Sequence, residues 1–161
     1  SSQVMGKTGP LPIVRDYGMV ETDGASFDAL VERLRAKGFS LHPSVIGCNW
    51  EPRPVQAPSR FQAVALNDGV QTSQQRARYD IDTRGLRSLT PREMLAFLVA
   101  HAQSLDNNIH FVTLGYIWHD IRSLPAALNC FRFVGRPHIG PVPAHVDGSY
   151  PRYYHFIATP K

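Results

Sequence analysis

A helix-initiation signal at Thr90 constrains the fold of this chain more than any other feature of its sequence. Thr90 and Glu93 have the Thr-x-x-Glu spacing of a capping box, in which each side chain accepts a hydrogen bond from the backbone N–H of the other residue. Pro91 takes the first helical position, where no N–H is needed. The apolar residues that follow, from Met94 to Leu105, give this helix a face wide enough to be largely buried. We therefore predict a helix that packs against a second layer of the domain.

A second amphipathic helix is predicted nearer the amino terminus. Ser26 is a favourable N-cap residue, and the apolar residues between Phe27 and Leu34 recur at helical spacing. Gly38 follows where a helix of this length would end. Segments rich in β-branched and aromatic residues predict strands. These strands are expected at residues 39–46, 61–66, 109–114, 127–134 and 153–159, with a short further candidate at 13–17.

These elements predict a single α+β domain, built from a mostly antiparallel sheet of about five strands with two amphipathic helices on one face. A length of 161 residues agrees with one domain. Residues 1–12 contain Gly and Pro without periodicity and are predicted to be a flexible arm or tag remnant, so the domain spans residues 13–161. The polar segment 71–87 fits either a returning strand or a loop, and the Pro- and Gly-rich segment 135–151 is predicted to be a loop.

Composition and charge exclude several classes of protein. Hydrophobic residues make up 43% of the chain and charged residues 19%, which excludes a wholly disordered chain, a coiled coil and a collagen-like fibre. The longest apolar run, Met94–Ala100, is too short to cross a bilayer, and residues 1–10 lack the pattern of a signal peptide. We therefore expect a cytoplasmic protein with no membrane segment. The cysteines, Cys48 and Cys130, lack the spacings of a zinc site, so neither a metal nor another cofactor is expected.

Arginine supplies 14 of the 17 basic residues, and the formal net charge is +4. A guanidinium group binds phosphate or carboxylate through two N–H groups at once and stacks on flat rings, which an ammonium group does not. One interpretation is an anionic partner such as nucleic acid. The other is that a GC-rich genome favours arginine codons throughout, because +4 is an ordinary net charge for the surface of a small domain.

Aromatic residues alternate with arginine in two of the predicted strands. Residues 131–133 read Phe-Arg-Phe, and residues 152–156 read Arg-Tyr-Tyr-His-Phe. Because alternate residues of a strand point to opposite faces, one face is able to join the core while the other forms an aromatic and basic platform for single-stranded bases. The alternative is that both aromatic sets are core on the two sides of a covered sheet. We expect antiparallel pairing of these strands to bring the candidate nucleic-acid-binding residues onto one surface. These residues are Arg132, Arg136, Arg152, Tyr153 and Tyr154.

Cysteine and histidine residues suggest a different, catalytic hypothesis. Cys48 follows a glycine at the end of a predicted strand, and His119 and His145 each have an aspartate within two residues, a pairing that can orient a general base. A proline-rich loop follows Cys48 instead of a helix that would lower the pKa of its thiol, which favours a buried structural cysteine. His101 lies on the apolar side of the helix that begins after Thr90, and we predict a core histidine whose ring is satisfied.

Three functions remain in order of preference. A small binding module for an anionic partner such as nucleic acid stands first. A hydrolase that depends on Cys48 and a histidine is the alternative. A protein-interaction or assembly component that uses exposed Pro-rich loops is third.

Overall fold

A computed structural model describes residues 11–46, 59–67, 69, 71–106, 108–119, 122–144 and 148–161, and within them there are ten strands and four helices. The strands are β1 (Ile13–Thr22), β2 (Ser40–Leu41), β3 (Ser59–Leu66), β4 (Thr72–Ser73), β5 (Leu86–Ser88), β6 (His110–His119), β7 (Pro125–Phe133), β8 (Arg136–Pro143), β9 (Ser149–Tyr150) and β10 (Tyr154–Pro160). The helices are α1 (Phe27–Ala36), α2 (Pro43–Ile46), α3 (Gln74–Thr83) and α4 (Pro91–Ala100), and a single 3₁₀ turn at Ala102–Ser104 follows α4.

Eight strands form one mixed sheet. Its order is β1-β3-β10-β6-β7-β8-β2, and β5 pairs with β10 beside this path. β10 runs parallel to β6, and β2 runs parallel to β8, whereas the other pairs in this sheet are antiparallel. β4 and β9 form a separate two-stranded sheet. The predicted α+β single domain is therefore confirmed, but the predicted sheet of five strands is too small and lacks the parallel pairs.

Helices cover both faces of the large sheet. α1 and α4 share one buried cluster with sheet residues, which includes Leu34, Phe97 and Phe111. A second buried cluster lies on the opposite face, where Ile81 of α3 joins Phe156 of β10. The two predicted helices do pack on the same face, and α3 is an addition on the other. No helix in the described ranges combines the length and the apolar character that a membrane crossing requires.

Helix α3 occupies the polar segment 71–87, for which we expected a strand or a loop. Its N-cap, Ser73, accepts a hydrogen bond from the backbone N–H of Arg76 at 3.1 Å. Its apolar contribution is small, with Ala77 and Ile81 buried one turn apart. A helix with so narrow an apolar face gives little periodicity to detect, and tertiary packing stabilises it instead.

A buried carboxylate connects α3 to the start of the described chain. Asp80 is buried, forms an ion pair with Arg76 at 3.4 Å, and accepts a hydrogen bond from the backbone N–H of Leu11 at 3.2 Å. Arg84 donates to the carbonyl oxygen of Leu11. Leu11 is fully buried although it belongs to the predicted arm of residues 1–12, and the rest of that arm, residues 1–10, lies outside the described residues.

Strand β8 occupies much of the segment 135–151 that we predicted to be a loop. We expected a loop because prolines such as Pro137, Pro141 and Pro143 argue against a strand, and this expectation was wrong. The carbonyl oxygen of Ile139 accepts a hydrogen bond from the N–H of His42 at 2.8 Å, on the side away from β7. The three prolines are two or four residues from Ile139, and alternate residues of a strand direct their backbone groups to the same side. The prolines therefore lie where the β7–β8 ladder requires no N–H group.

Half of the predicted strand at residues 39–46 is helix. Only Ser40–Leu41 forms a strand, β2, which lies at an edge of the sheet. Pro43 then begins the short helix α2, which agrees with the preference of proline for the first helical position.

The capping box at the start of α4 is present as predicted. The backbone N–H of Glu93 donates to Thr90 Oγ1 at 3.1 Å, and the backbone N–H of Thr90 donates to Glu93 Oε1 at 2.9 Å. Arg87 holds the same carboxylate through two bonds of 2.7 and 2.8 Å. The helix start is therefore tied to β5, in which Arg87 lies.

Replacing Thr90 with alanine is expected to lower the free energy of unfolding by about 0.5–2 kcal/mol, because one helical N–H loses its acceptor. Urea denaturation followed by circular dichroism measures the change. Thr90→Ser keeps the hydroxyl and is the control, for which we expect a midpoint close to that of the wild type. Equal midpoints for all three proteins would contradict a stabilising cap.

Candidate nucleic-acid interface

The β7–β8 hairpin presents two neighbouring apolar side chains to solvent. The strands pair as far as Phe133 and Arg136, so the turn consists of Val134 and Gly135. Both turn residues have positive φ, 53° for Val134 and 77° for Gly135, as in the two-residue turns whose twist matches that of a hairpin. Phe133 is 62% exposed and Val134 is 88% exposed. We call these two residues the hairpin tip.

Arg132 fastens the hairpin to the 3₁₀ turn that continues the end of α4. Its Nε donates to the carbonyl oxygen of Leu105 at 3.2 Å, and its Nη2 donates to that of Ala102 at 3.5 Å. Its Nη1 donates to the carbonyl oxygen of Gly135 within the turn, at 2.9 Å. Arg132 therefore reaches toward α4, whereas the neighbouring Phe133 contacts His138 on the opposite face, as strand alternation predicts.

Arg136 fastens the other side of the hairpin to the end of α1. Its Nε donates to the carbonyl oxygen of Gly38 at 3.3 Å. Gly38 follows Lys37, the C-cap of α1, and has a φ of 93° that favours glycine. A helix end carries about half a negative charge, so the ends of α1 and α4 both attract these cations.

An open cleft of about 410 Å³ lies between the hairpin and the two helix ends. Within the described part of the chain, three cationic side chains and no carboxylate line this cleft. Among the described residues, none of these three cations takes part in an ion pair. Because the two helix ends together offset roughly one unit of charge, the cleft stays positive. We call it the basic cleft, and its lining residues are Lys37, Phe39, Ala102, Gln103, Arg132, Gly135, Arg136 and Pro137.

A row of aromatic rings crosses the sheet from the hairpin tip to the start of β10. The ring of His110 lies 4.9 Å from that of Phe131, with the planes 4° apart, and 5.2 Å from that of Tyr153. His138 continues the row, with its ring 5.7 Å from Phe131 and 5.9 Å from Phe133. The inner rings cover one another, whereas Phe133 and Tyr153 at the two ends are 62% and 45% exposed. The two ends of the aromatic row therefore offer ring surface to a ligand.

The tyrosines of the predicted interface are not adjacent to β7. The predicted antiparallel pairing of the two strands is wrong, because β6 lies between β7 and β10 and runs parallel to β10. Tyr153 is exposed, but Tyr154 is buried and stacks on His110 at 4.6 Å. Arg152 is exposed, and Asn67 Nδ2 donates to its carbonyl oxygen at 2.7 Å.

The candidate residues therefore form two groups at opposite ends of the aromatic row. No contact between the groups is found among the described residues except through the row itself. The basic cleft contains Arg132 and Arg136, and the far end of the row contains Arg152, Tyr153 and Tyr154.

His110 is one of the residues of this surface that the predicted set did not include. Burial lowers the pKa of the His110 ring, with the neighbouring Asn129 acting in the opposite direction. Asn129 is itself buried on β7, and its Oδ1 has no hydrogen-bond partner among the described residues. Strand alternation alone does not reveal that His110 stacks on Phe131, because the contact depends on the register between β6 and β7.

The residues of the catalytic hypothesis are not brought together in the described part of the chain. Cys48 and His145 lie outside the described residues. His119 is exposed at the end of β6, opposite Pro125. The other cysteine, Cys130, is buried, and burial raises the pKa of its thiol to about 12, so it is not a thiolate near neutral pH. Over the described ranges, no three His, Cys, Asp or Glu side chains are placed to hold a metal ion.

His101 packs in the core, but its ring is not satisfied as predicted. It lies 5.1 Å from the ring of Phe97 and 5.0 Å from that of Tyr17. Its Nε2 is buried and has no hydrogen-bond partner among the described residues. Burial, and secondly the charge of Arg15, lower the pKa of this histidine, so it packs as a neutral ring.

A second cleft of about 410 Å³, beside α3 and β5, also contains cations. Arg87 is held by Glu93, and Lys161 is held by Asp82. Arg78 donates to a backbone carbonyl at 2.9 Å. Because carboxylates already neutralise two of its cations, this cleft is a weaker anion site than the basic cleft.

The residues that converge on the hairpin are therefore three cations and one exposed ring at the end of an aromatic row. Such a surface suits a ligand that carries both negative charge and flat rings. Comparisons with protein-family models, with curated proteins and with solved structures found no match to this chain.

Proposed function

We propose that this protein binds single-stranded nucleic acid at the β7–β8 hairpin. Phosphate groups occupy the basic cleft, and a base stacks on Phe133. The observation that carries this proposal is the 62% exposed ring of Phe133, whose register partner Arg136 lines a cleft with three cations and no carboxylate among the described residues.

The cations of the basic cleft differ in how they contribute. Arg132 donates to three carbonyl oxygens, so it mainly supplies positive potential. Arg136 donates to the carbonyl oxygen of Gly38 through its Nε, so its two outer NH₂ groups remain for a ligand. Lys37 lines the same cleft and carries a compact charge. Lys37 and Arg136 are therefore the groups that contact phosphate directly.

The exposed ring favours a single strand over a duplex. A base stacks on an aromatic side chain only when its own face is free, and each such contact contributes roughly 1–3 kcal/mol. The ring of Phe133 packs against His138, which the aromatic row holds in place. The Phe133 ring therefore has less conformational freedom to lose on binding.

Fluorescence anisotropy of a labelled oligothymidylate, titrated at several salt concentrations, tests the proposal. We expect binding at micromolar protein that weakens with salt, with each neutralised phosphate contributing about −0.7 to the slope of log Kobs against log salt. Phe133→Ala is expected to reduce affinity by roughly 5- to 150-fold, the equivalent of one lost stacking contact. A duplex of the same length should bind more weakly than the single strand.

Charge variants separate specific contacts from general attraction. Arg136→Gln and Lys37→Gln should each reduce the magnitude of the salt slope by about 0.7. Arg60→Gln removes an exposed charge from β3, which is three strands from β7 in the sheet, and should leave the slope unchanged. Absence of binding at micromolar protein, or equal effects of all three substitutions, would overturn the proposal.

A further inference from the structure

The turn residue Val134 has a backbone conformation that its side chain disfavours. Its φ is 53°, in the left-handed region where a β-branched residue is an outlier. Two-residue turns with positive φ strongly favour Asn-Gly or Asp-Gly, whereas this chain has Val-Gly. Val134 is 88% exposed, so its methyl groups gain almost no burial in return. The folded domain alone gives no reason for valine at this position.

The strained turn is also held firmly. Arg132 donates both to the Gly135 carbonyl oxygen in the turn and to that of Leu105 beyond α4. Arg136, the residue after the turn, donates to the carbonyl oxygen of Gly38 at the end of α1. Both sides of the hairpin are therefore connected to helices that pack in the core. Strain that a surrounding structure maintains is a recurrent property of binding sites.

We propose that the hairpin tip inserts between neighbouring bases of a bound single strand. This inference rests on the proposed function and adds the mode of recognition. Apolar side chains act as wedges between base steps in proteins that unstack nucleic acid. Val134 has no ring on which a base could stack, so burial between bases is the contact that its methyl groups can make.

The charges around the tip fit the same geometry. The wedge residues, Phe133 and Val134, stand at the end of the hairpin, and two cations of the basic cleft, Arg132 and Arg136, directly flank the tip. A strand whose bases part around the tip would direct the adjoining phosphates toward Lys37 and Arg136. Charge complementarity therefore favours a nucleic-acid strand as the occupant of this apolar tip over an uncharged apolar partner.

The test uses an oligothymidylate that contains one 2-aminopurine, whose emission rises when it leaves the base stack. Binding of the wild-type protein is expected to increase this emission. Val134→Asn suits the turn, so we expect a higher melting temperature together with an affinity roughly tenfold lower and little increase in emission. Val14→Asn, at a half-exposed valine on β1, is the matched control and should leave both affinity and emission unchanged.

The outcomes distinguish the wedge from the function on which it rests. If the oligonucleotide binds but 2-aminopurine emission stays constant and Val134→Asn binds like the wild type, the wedge is wrong and the proposed function stands. If no oligonucleotide binds at micromolar protein, both fail. If Val134→Asn has a higher melting temperature but produces little increase in 2-aminopurine emission on binding, the wedge is supported. A variant that was merely unfolded would melt at a lower temperature.

Discussion

Replacing Gly115 with alanine will destabilise this protein by about 3 kcal/mol or more, at the upper end of what overpacking a core costs. A Cβ atom at this position would lie 2.0 Å from the carbonyl oxygen of Leu89 and 2.8 Å from its carbonyl carbon. These are backbone atoms at the junction of β5 and α4, and Thr113 also donates a hydrogen bond to the same oxygen. The clash therefore has to move β6 or the start of α4.

The irregular path of β6 explains why the approach is so close. The register between β6 and β7 shifts between Thr113 and Trp118, and Gly115 lies within that shift. The bulged strand passes directly under Leu89, where only a residue without a side chain fits.

Gly140→Ala is the matched control for Gly115→Ala. Gly140 is also a strand glycine, but its nearest neighbour would be the Cβ of His42 at 3.2 Å, in an exposed residue between β2 and α2. We expect a cost within about 1 kcal/mol, because this neighbour is able to move. Urea denaturation of both variants provides the comparison. Equal midpoints would contradict the close approach of the Leu89 carbonyl group to Gly115.

Lowering the pH from 7.5 to 5.5 will destabilise the protein through three half-buried histidines. Burial lowers the pKa of His101, His110 and His155, although Asp106 near His155 acts in the opposite direction. Each of these rings has one buried nitrogen without a hydrogen-bond partner among the described residues.

The sign follows from where the protons bind. In the unfolded chain these histidines take up protons near their ordinary pKa of about 6.5, whereas the folded protein resists protonation until lower pH. Unfolding therefore takes up protons below that pH, and the stability is complete above it. The loss proceeds as the pH falls from the unfolded pKa to the folded one, and each unit between the two values removes about 1.4 kcal/mol per histidine.

Urea midpoints measured at several pH values test this expectation. His155→Phe and His101→Phe should each reduce the loss of stability between pH 7.5 and 5.5, because each removes one group that binds a proton only on unfolding. Leu124→Phe adds a ring at an exposed residue without changing a titratable group, and it should leave the pH dependence as in the wild type. A free energy of unfolding that stays constant over this interval would contradict the conclusion that the folded protein keeps these three histidines neutral.

Local signals predicted those elements whose stability begins in their own residues. Thr90 and Glu93 form the cap that their spacing predicts, and Ser26 caps α1 through a hydrogen bond from the Ala29 N–H at 3.1 Å. The alternation at residues 131–133 correctly separated Arg132 from the two phenylalanines. Such features depend on residues within one turn or one strand, so no knowledge of distant contacts is needed.

The meaning of the arginine content emerged only from the folded chain. Several arginines have a structural task that neither interpretation of the composition included, because they donate to backbone carbonyl oxygens at loops and helix ends. Their several N–H groups suit this task, which a lysine performs less well. These arginines are Arg78, Arg84, Arg92, Arg132 and Arg136.

By itself, the sequence determined two capped helices, the strands around residues 61–66, 109–114, 127–134 and 153–159, and the opposite directions of aromatic and basic side chains in one of them. Tertiary structure alone decided strand order, because pairing joins residues far apart in the chain and leaves no local pattern. It placed β6 between β7 and β10, and thereby His110 in the aromatic row. It also joined the ends of α1 and α4 at one hairpin, which turned scattered cations into a cleft.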